Sequence, residues 1–142
     1  MTIHIEAHVA NARNSHRASV ATNGAARDIA IPPRATGSGS SANGGELLCL
    51  ALATCYCNDV YREAAARGIE VTSVAVDVNA HFGAPGEPAT AIRYRADVTA
   101  RASASEIRAL MLHTDTVAEI QNTLRLGIGV EFIVGTIVPM EA

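Results

Sequence analysis

Residues 43–68 read Asn43-Gly44-Gly45-Glu46-Leu47-Leu48-Cys49-Leu50-Ala51-Leu52-Ala53-Thr54-Cys55-Tyr56-Cys57-Asn58-Asp59-Val60-Tyr61-Arg62-Glu63-Ala64-Ala65-Ala66-Arg67-Gly68. Asn43 is a side-chain acceptor suited to an N-cap, and Glu46 stands three residues on, where a capping box places its acid. Gly68 supplies the terminator. The pattern predicts a central helix over 46–67. Its first half, Leu47 to Ala53, is apolar nearly all round, and its second half carries Asp59, Arg62, Glu63 and Arg67. A helix apolar on every face is buried on every face, so this element is expected to run through the centre of the molecule or of its dimer.

Upstream, residues 1–31 read as three strands. Ile3, Ile5, Ala7 and Val9 alternate with His4, Glu6 and His8, which predicts one buried face. His16 to Thr22 and Arg27 to Ile31 follow, joined by the hairpin signal Asn23-Gly24. Pro32-Pro33 ends the sheet, because proline cannot donate to a ladder. The Gly- and Ser-rich remainder of 32–45 reads as a loop, with Gly37-Ser38-Gly39-Ser40 as a flexible lid or linker. It lacks the Gly-Lys-Ser/Thr and the βαβ setting of a phosphate loop.

Downstream, residues 70–142 form a ββααβ half. Val71 to Ala80 is a strand with Val74, Val76 and Val78 on one face; His81 to Glu87 is a loop; Ala91 to Ala100 is a strand with Ile92, Tyr94, Ala96 and Val98 facing in. Ser103 or Ser105 caps a helix through Leu112. Asp115 or Thr116 caps a second over Val117 to Leu126, ended by Gly127, and Val130 to Val138 closes as a strand. The order βββ-α-ββ-αα-β is α+β in a single domain.

Composition narrows the function. The chain has 142 residues, 49% hydrophobic and 4% aromatic, with a net charge of −3. That supports a core of Ala, Val, Ile and Leu, and argues against a base-stacking or phosphate-tracking surface, so no nucleic-acid partner is expected. Every basic residue is Arg. Lysine Schiff bases and P-loop lysines are thereby excluded. The N-terminus lacks a secretory pattern, and the apolar run Leu47 to Asn58 is too short to span a bilayer. Three clustered cysteines do not make a disulfide framework. A cytoplasmic protein with reduced thiols and no membrane partner is expected.

Cys55 and Cys57 point roughly 200° apart on a helix, and Cys49 lies about 120° from Cys55 and ~9 Å along the axis. No pair can close a disulfide without unwinding the helix, and one helix face cannot gather all three round zinc. They read either as small buried hydrophobes or as a setting for one reactive thiol. Cys55, Asn58, Asp59 and Arg62 share a face. Asp59 disfavours a thiolate at Cys55, Arg62 favours one, and the two can pair with each other. A reactive Cys55 needs an arginine from elsewhere, and the long loop carries Arg34.

The opening Asn43-Gly44-Gly45-Glu46-Leu47-Leu48, the run Ala51-Leu52-Ala53-Thr54-Cys55, the charged helical end, Gly68-Ile69 and the Val-rich strand together resemble the OsmC/Ohr family. The resemblance implies an OsmC-like fold and an intertwined homodimer with long central helices packed back to back. It also implies a cysteine-based peroxidase of the oxidative stress response that reduces organic hydroperoxides, with no cofactor and no metal. In such chemistry a thiolate attacks the O–O bond, becomes a sulfenic acid and is resolved by a second thiol. Cys55 falls on the peroxidatic position, and Arg34, or else Arg17, supplies the guanidinium.

Two positions depart from the family pattern. The family's active-site Glu falls on Gly45, whereas Glu46 lies about 180° from Cys55 and reads as a cap. The resolving cysteine falls on Thr114, within His113-Thr114-Asp115-Thr116-Val117, and threonine cannot form that disulfide. Cys49 or Cys57 across the dimer, or an external thiol reductant, is then expected to resolve Cys55. His113 reads either as a base near Cys55 or as a polar residue at a helix boundary. The competing function is a non-enzymatic binder of a small hydrophobic or oxidised ligand at the dimer interface. His4, Glu6 and His8 share a strand face that reads as solvated.

Overall fold

A computed structural model describes residues 2–140. The element order is β1 (Ile5–Ala12), β2 (Ser15–Thr22), β3 (Ala25–Ile29), α1 (Gly44–Ala66), β4 (Glu70–Phe82), β5 (Ala89–Arg101), α2 (Ala104–Val117) and α3 (Glu119–Leu126). Strands and helices are mixed as expected for an α+β chain. The chain divides into two compact units. One holds the residues up to Ala51 with Val78–Tyr94, and the other holds Leu52–Asp77 with Arg95 onward.

In the first unit β1, β2 and β3 form an antiparallel sheet in chain order, with Ile5 opposite Thr22 and Ala18 opposite Ile29. Asn23 (φ 49°) and Gly24 (φ 84°) both take positive φ, which a type I′ hairpin turn demands. Asn23 also ties down the chain start: its Oδ1 accepts from the His4 N–H at 2.9 Å. The expected buried face of β1 is absent from the single chain. Ile3, Ile5 and Val9 are all more than 60% exposed, and Ala21 is the buried apolar residue of the sheet. Alternation therefore marks a face fit for burial, not one that this chain covers alone.

The 32–45 loop is not a slack linker. Pro33 and Ser40 form an isolated bridge, the Arg34 N–H donates to the Gly39 carbonyl at 2.9 Å, and the Gly39 N–H donates to Asn11 Oδ1 at 3.1 Å. Gly37 (φ 80°) and Gly39 (φ 110°) supply the left-handed turns that close it.

The capping box forms as read. The Glu46 N–H donates to Asn43 Oδ1 at 2.8 Å, and the Asn43 N–H donates to Glu46 Oε1 at 2.9 Å. At the other end Gly68 (φ 67°) closes a Schellman motif, with Ile69 N–H on the Ala64 carbonyl and Gly68 N–H on that of Ala65. The expected all-round burial is corrected to one stripe. Leu52, Tyr56, Val60 and Ala64, four residues apart, are at most 3% exposed, whereas Leu47 and Leu50 lie open.

β4 and β5 pair, with Glu70 against Arg101, Thr72 against Thr99 and His81 against Thr90, the constant index sum of an antiparallel ladder. Val74, Val76 and Val78 share the half-buried side, as do Tyr94, Ala96 and Val98; Ile92 is exposed.

In the second unit Ser103 caps α2 by accepting the Glu106 N–H at 3.2 Å. α2 continues past Leu112 to Val117, and Ala118, fully buried with φ −71° and ψ 114°, breaks it from α3. The second helix thus starts at Glu119 and not at a cap on Asp115 or Thr116. Gly127 (φ 66°) ends it as read. The expected strand Val130–Val138 does not form. A strand needs a partner for its backbone groups, and this segment lies exposed, Val130 at 97% and Phe132 at 86%.

Candidate functional site

The stripe that packs α1 against α2 and α3 also aims a polar face. Tyr56 Oη donates to the Met111 carbonyl of α2 at 2.9 Å, and Gln121 of α3 donates from Nε2 to the Leu52 carbonyl at 3.1 Å. These two bonds fix α1 from both sides. With Leu52 and Tyr56 turned inward, Cys55 and Asp59 come round to the start of α3.

There the Cys55 thiol donates to Asp59 Oδ2 at 3.5 Å and reaches Glu119 Oε2 at 3.8 Å. Its sulfur accepts the backbone N–H of Ile120, an orphan donor of α3's first turn. Burial pushes the thiol pKa up, the Ile120 N–H opposes that, and the charges of Asp59 and Glu119 raise it further. Asp59 is 6% exposed. Burial, then its hydrogen bond and charge contact with Glu119, push its carboxyl from an ordinary 3.8 up to about 6. Burial acts upward on Glu119 too, yet hydrogen bonds from Asp59 and Arg62 outweigh it and bring that carboxyl down to about 2. Between pH about 2 and about 6 the two carboxyls hold one proton between them.

Arg62 closes the cluster. Its guanidinium lies 3.1 Å from Asp59, 2.9 Å from Glu63 and 2.5 Å from Glu119. Hydrogen bonds that it donates to Glu63 and Glu119 raise its pKa. Its charge is therefore spent on three carboxylates, so the favourable effect on Cys55 expected from the shared helix face is not realised. Glu63 in turn meets His113 Nε2 at 2.8 Å, and Arg62 and His113 lower its pKa.

The sequence-predicted residues divide between the units. Arg34 and Arg17 belong to the first. The Arg34 guanidinium packs over Gly39 in its own loop, and Arg17 lines an open groove of about 390 Å³ with His16, Asp28 and Ile29. That groove's lining includes neither Cys55 nor either carboxylate partner. Glu46 serves as the cap. His113 is engaged by Glu63, eight residues and about 12 Å along α1 from Cys55, so it is not the base at the sulfur. Thr114 is fully buried inside α2, with its hydroxyl donating to the Leu110 carbonyl at 2.7 Å. It does not open the second helix. Glu119 does, and sequence reading missed it because the break at Ala118 was placed two to three residues early. An acid at a helix start was the available signal.

Cys55 Sγ and one oxygen each of Asp59 and Glu119 lie within 4.8 Å of one another, a donor set of metal-ligating types. Arg62, paired with both carboxylates, already supplies the counter-charge a cation would bring. All three cysteines are free thiols, and no helix among the described residues is long and apolar enough to cross a membrane.

A family model described as OsmC-like protein matches residues 37–132. No curated protein sequence matches. Among solved structures, the chain is similar to an OsmC like protein from Mycoplasma pneumoniae, with a TM-score of 0.62, 16% identity and 88% of each chain covered. It is also similar to an organic hydroperoxide resistance protein from Legionella pneumophila, with a TM-score of 0.51, 20% identity, and 86% of this chain and 89% of that one covered. A third, an OsmC-like hydroperoxide resistance protein from Jannaschia sp., gives a TM-score of 0.55 at 12% identity, covering 94% and 93%. At these identities the likeness is one of fold.

Proposed function

This chain belongs to the OsmC-like family, and on that premise we propose that it reduces organic hydroperoxides through Cys55, as a homodimer in the cytoplasm. One observation carries the reading. Cys55 is the cysteine that, among the described residues, holds both a backbone N–H on its sulfur and ionisable partners beside it. The fold neighbours described as hydroperoxide resistance proteins support the choice of oxidant.

Thiolate attack on the peroxide yields a sulfenic acid at Cys55 and an alcohol. Two external thiols then return the sulfur to its reduced state, the first forming a mixed disulfide with loss of water and the second releasing Cys55 as an external disulfide forms; Thr114 offers no sulfur, and its hydroxyl is committed to Leu110. The homodimer is supported by the apolar surface a lone chain leaves open: Leu47 and Leu50 on α1, and Val130, Phe132, Val134 and Val138 beyond α3. Light scattering across a concentration series tests it, with twice the chain mass expected.

The raised thiol pKa favours a second reading, a binder of a small hydrophobic or oxidised ligand that performs no chemistry. Intact mass after cumene hydroperoxide decides between them. Wild type is expected to gain one oxygen, trapped as a dimedone adduct, and Cys55→Ser is expected to gain none. An unmodified wild type under excess peroxide leaves the binder.

A further inference from the structure

A half-buried thiol ringed by carboxylates must give up its proton before it attacks. The leaving alkoxide of a hydroperoxide is a poor leaving group unless something nearby returns one. One side chain beside the sulfur is able to do both. Asp59 Oδ2 accepts from the Cys55 thiol at 3.5 Å, and the same carboxyl is hydrogen-bonded to Glu119. We propose that Asp59 is the proton shuttle of Cys55, taking the thiol proton before attack and delivering it to the alcohol product. The proposal rests on the peroxidase reading and adds to it a residue that the family resemblance did not suggest.

The balance closes without a further reactant. Cys55–SH and the Asp59 carboxylate become Cys55–S⁻ and the Asp59 carboxylic acid, with the thiolate held by the Ile120 N–H. The sulfur lone pair attacks the terminal oxygen of the hydroperoxide. The S–O bond forms, the O–O bond breaks, sulfur is oxidised by two electrons and the peroxide reduced by two. The terminal oxygen keeps its hydrogen, giving Cys55–SOH. The departing alkoxide takes the proton from Asp59 and leaves as alcohol, which restores the carboxylate.

The groups facing Asp59 set its suitability. From its own helix they are Cys55 and Arg62, with Glu63 behind Arg62; from α3 it is Glu119; and from α2 His113 reaches the cluster through Glu63. Burial and the neighbouring Glu119 carboxylate give Asp59 a proton affinity near the operating pH, where a group can both accept and donate. Glu119 and Arg62 are positioning residues here. Glu119 raises that affinity, and Arg62 keeps the pair of acids from repelling each other apart.

The test uses Asp59→Asn in the full chain and two reagents that differ in one respect. Iodoacetamide expels iodide, which needs no proton, and so reports thiolate alone. Cumene hydroperoxide expels an alkoxide, which does need one. At pH 7 the variant is expected to lose sulfenic acid formation at Cys55 by at least about tenfold, while alkylation of Cys55 is unchanged or faster because one raising charge is gone. If both reactions speed up or both hold, Asp59 is an electrostatic brake and the proposal is overturned. If both fall together its role is structural, and the proposal is overturned likewise. Wild type alone supplies an independent readout should the variant fold poorly. Its peroxide oxidation rate is expected to rise through pH about 6 and then level. A rate that climbs steadily with pH from 5 to 9 would overturn the shuttle while leaving Cys55 as the nucleophile. A wild type inert to peroxide sinks the peroxidase reading itself, and Asp59's role with it.

Discussion

The two compact units bury their apolar residues very differently. In the second, α1 from Leu52 onward, α2 and α3 enclose Leu52, Tyr56, Val60, Ala64, Leu110, Thr114, Ala118 and Gln121, all at most 4% exposed. In the first, a well-registered sheet of three strands encloses Ala21 and leaves Ile5 and Val9 in solvent. Both units have complete backbone ladders or helices, so hydrogen bonding does not separate them. Apolar burial does, at roughly 25 cal/mol for each Å² withdrawn from water. Among the described residues, the helical unit holds most of the buried apolar side chains, and the sheet leaves the apolar side of β1 exposed.

That contrast can be broken most forcefully at Leu110. Its fully buried side chain fills the space between helices, so Leu110→Ala is expected to cost about 2–5 kcal/mol in urea unfolding. A smaller effect would mean the helical unit is less of a core than its burial indicates. Next comes the acid pair, on the order of 1 kcal/mol given how exposed Glu119 is. Folded, the pair holds one proton between pH about 2 and 6, whereas the unfolded carboxyls titrate at 3.8 and 4.5. Below about pH 4 the unfolded chain binds more protons, so stability rises with pH towards that point; above about 4.5 the folded chain binds more, so stability falls until pH 6. Glu119→Gln should flatten the falling limb in unfolding curves taken from pH 4 to 7. Smallest is Val9→Ser on β1. At concentrations where the chain is monomeric, it should shift stability by less than about 0.5 kcal/mol. A larger loss there would show that the sheet's open face is covered after all.

Local chemistry made the central elements legible. Asn43 and Glu46 announced the start of α1, Gly68 its end, and Asn23-Gly24 the hairpin, because each signal is a bond or a φ angle made within a few residues. What failed depended on distant partners. The β1 alternation and the Val130–Val138 run both promised burial or pairing that no neighbour in a single chain provides. At the thiol, Asp59 and Arg62 were readable from helix spacing and pair as spacing allowed. Glu119 lies 64 residues from Cys55, and its meeting with the sulfur rests on the phase of α3 after a one-residue joint. Propensity scarcely marks such a joint, since Ala118 is among the best helix formers and breaks the helix only through its tertiary setting.

Ala118 leaves the neighbourhood of Cys55 with an unusual dial. A methyl group sealed at zero exposure sets where the last turn of one rod stops and the next begins. Each residue added to or removed from such a connection re-phases the downstream rod by as much as about 100°, enough to swing Glu119 away and present some other side chain to the sulfur. Acidity at the thiol can thus drift over generations through changes in joint length alone, with every residue of the central helix left as it was.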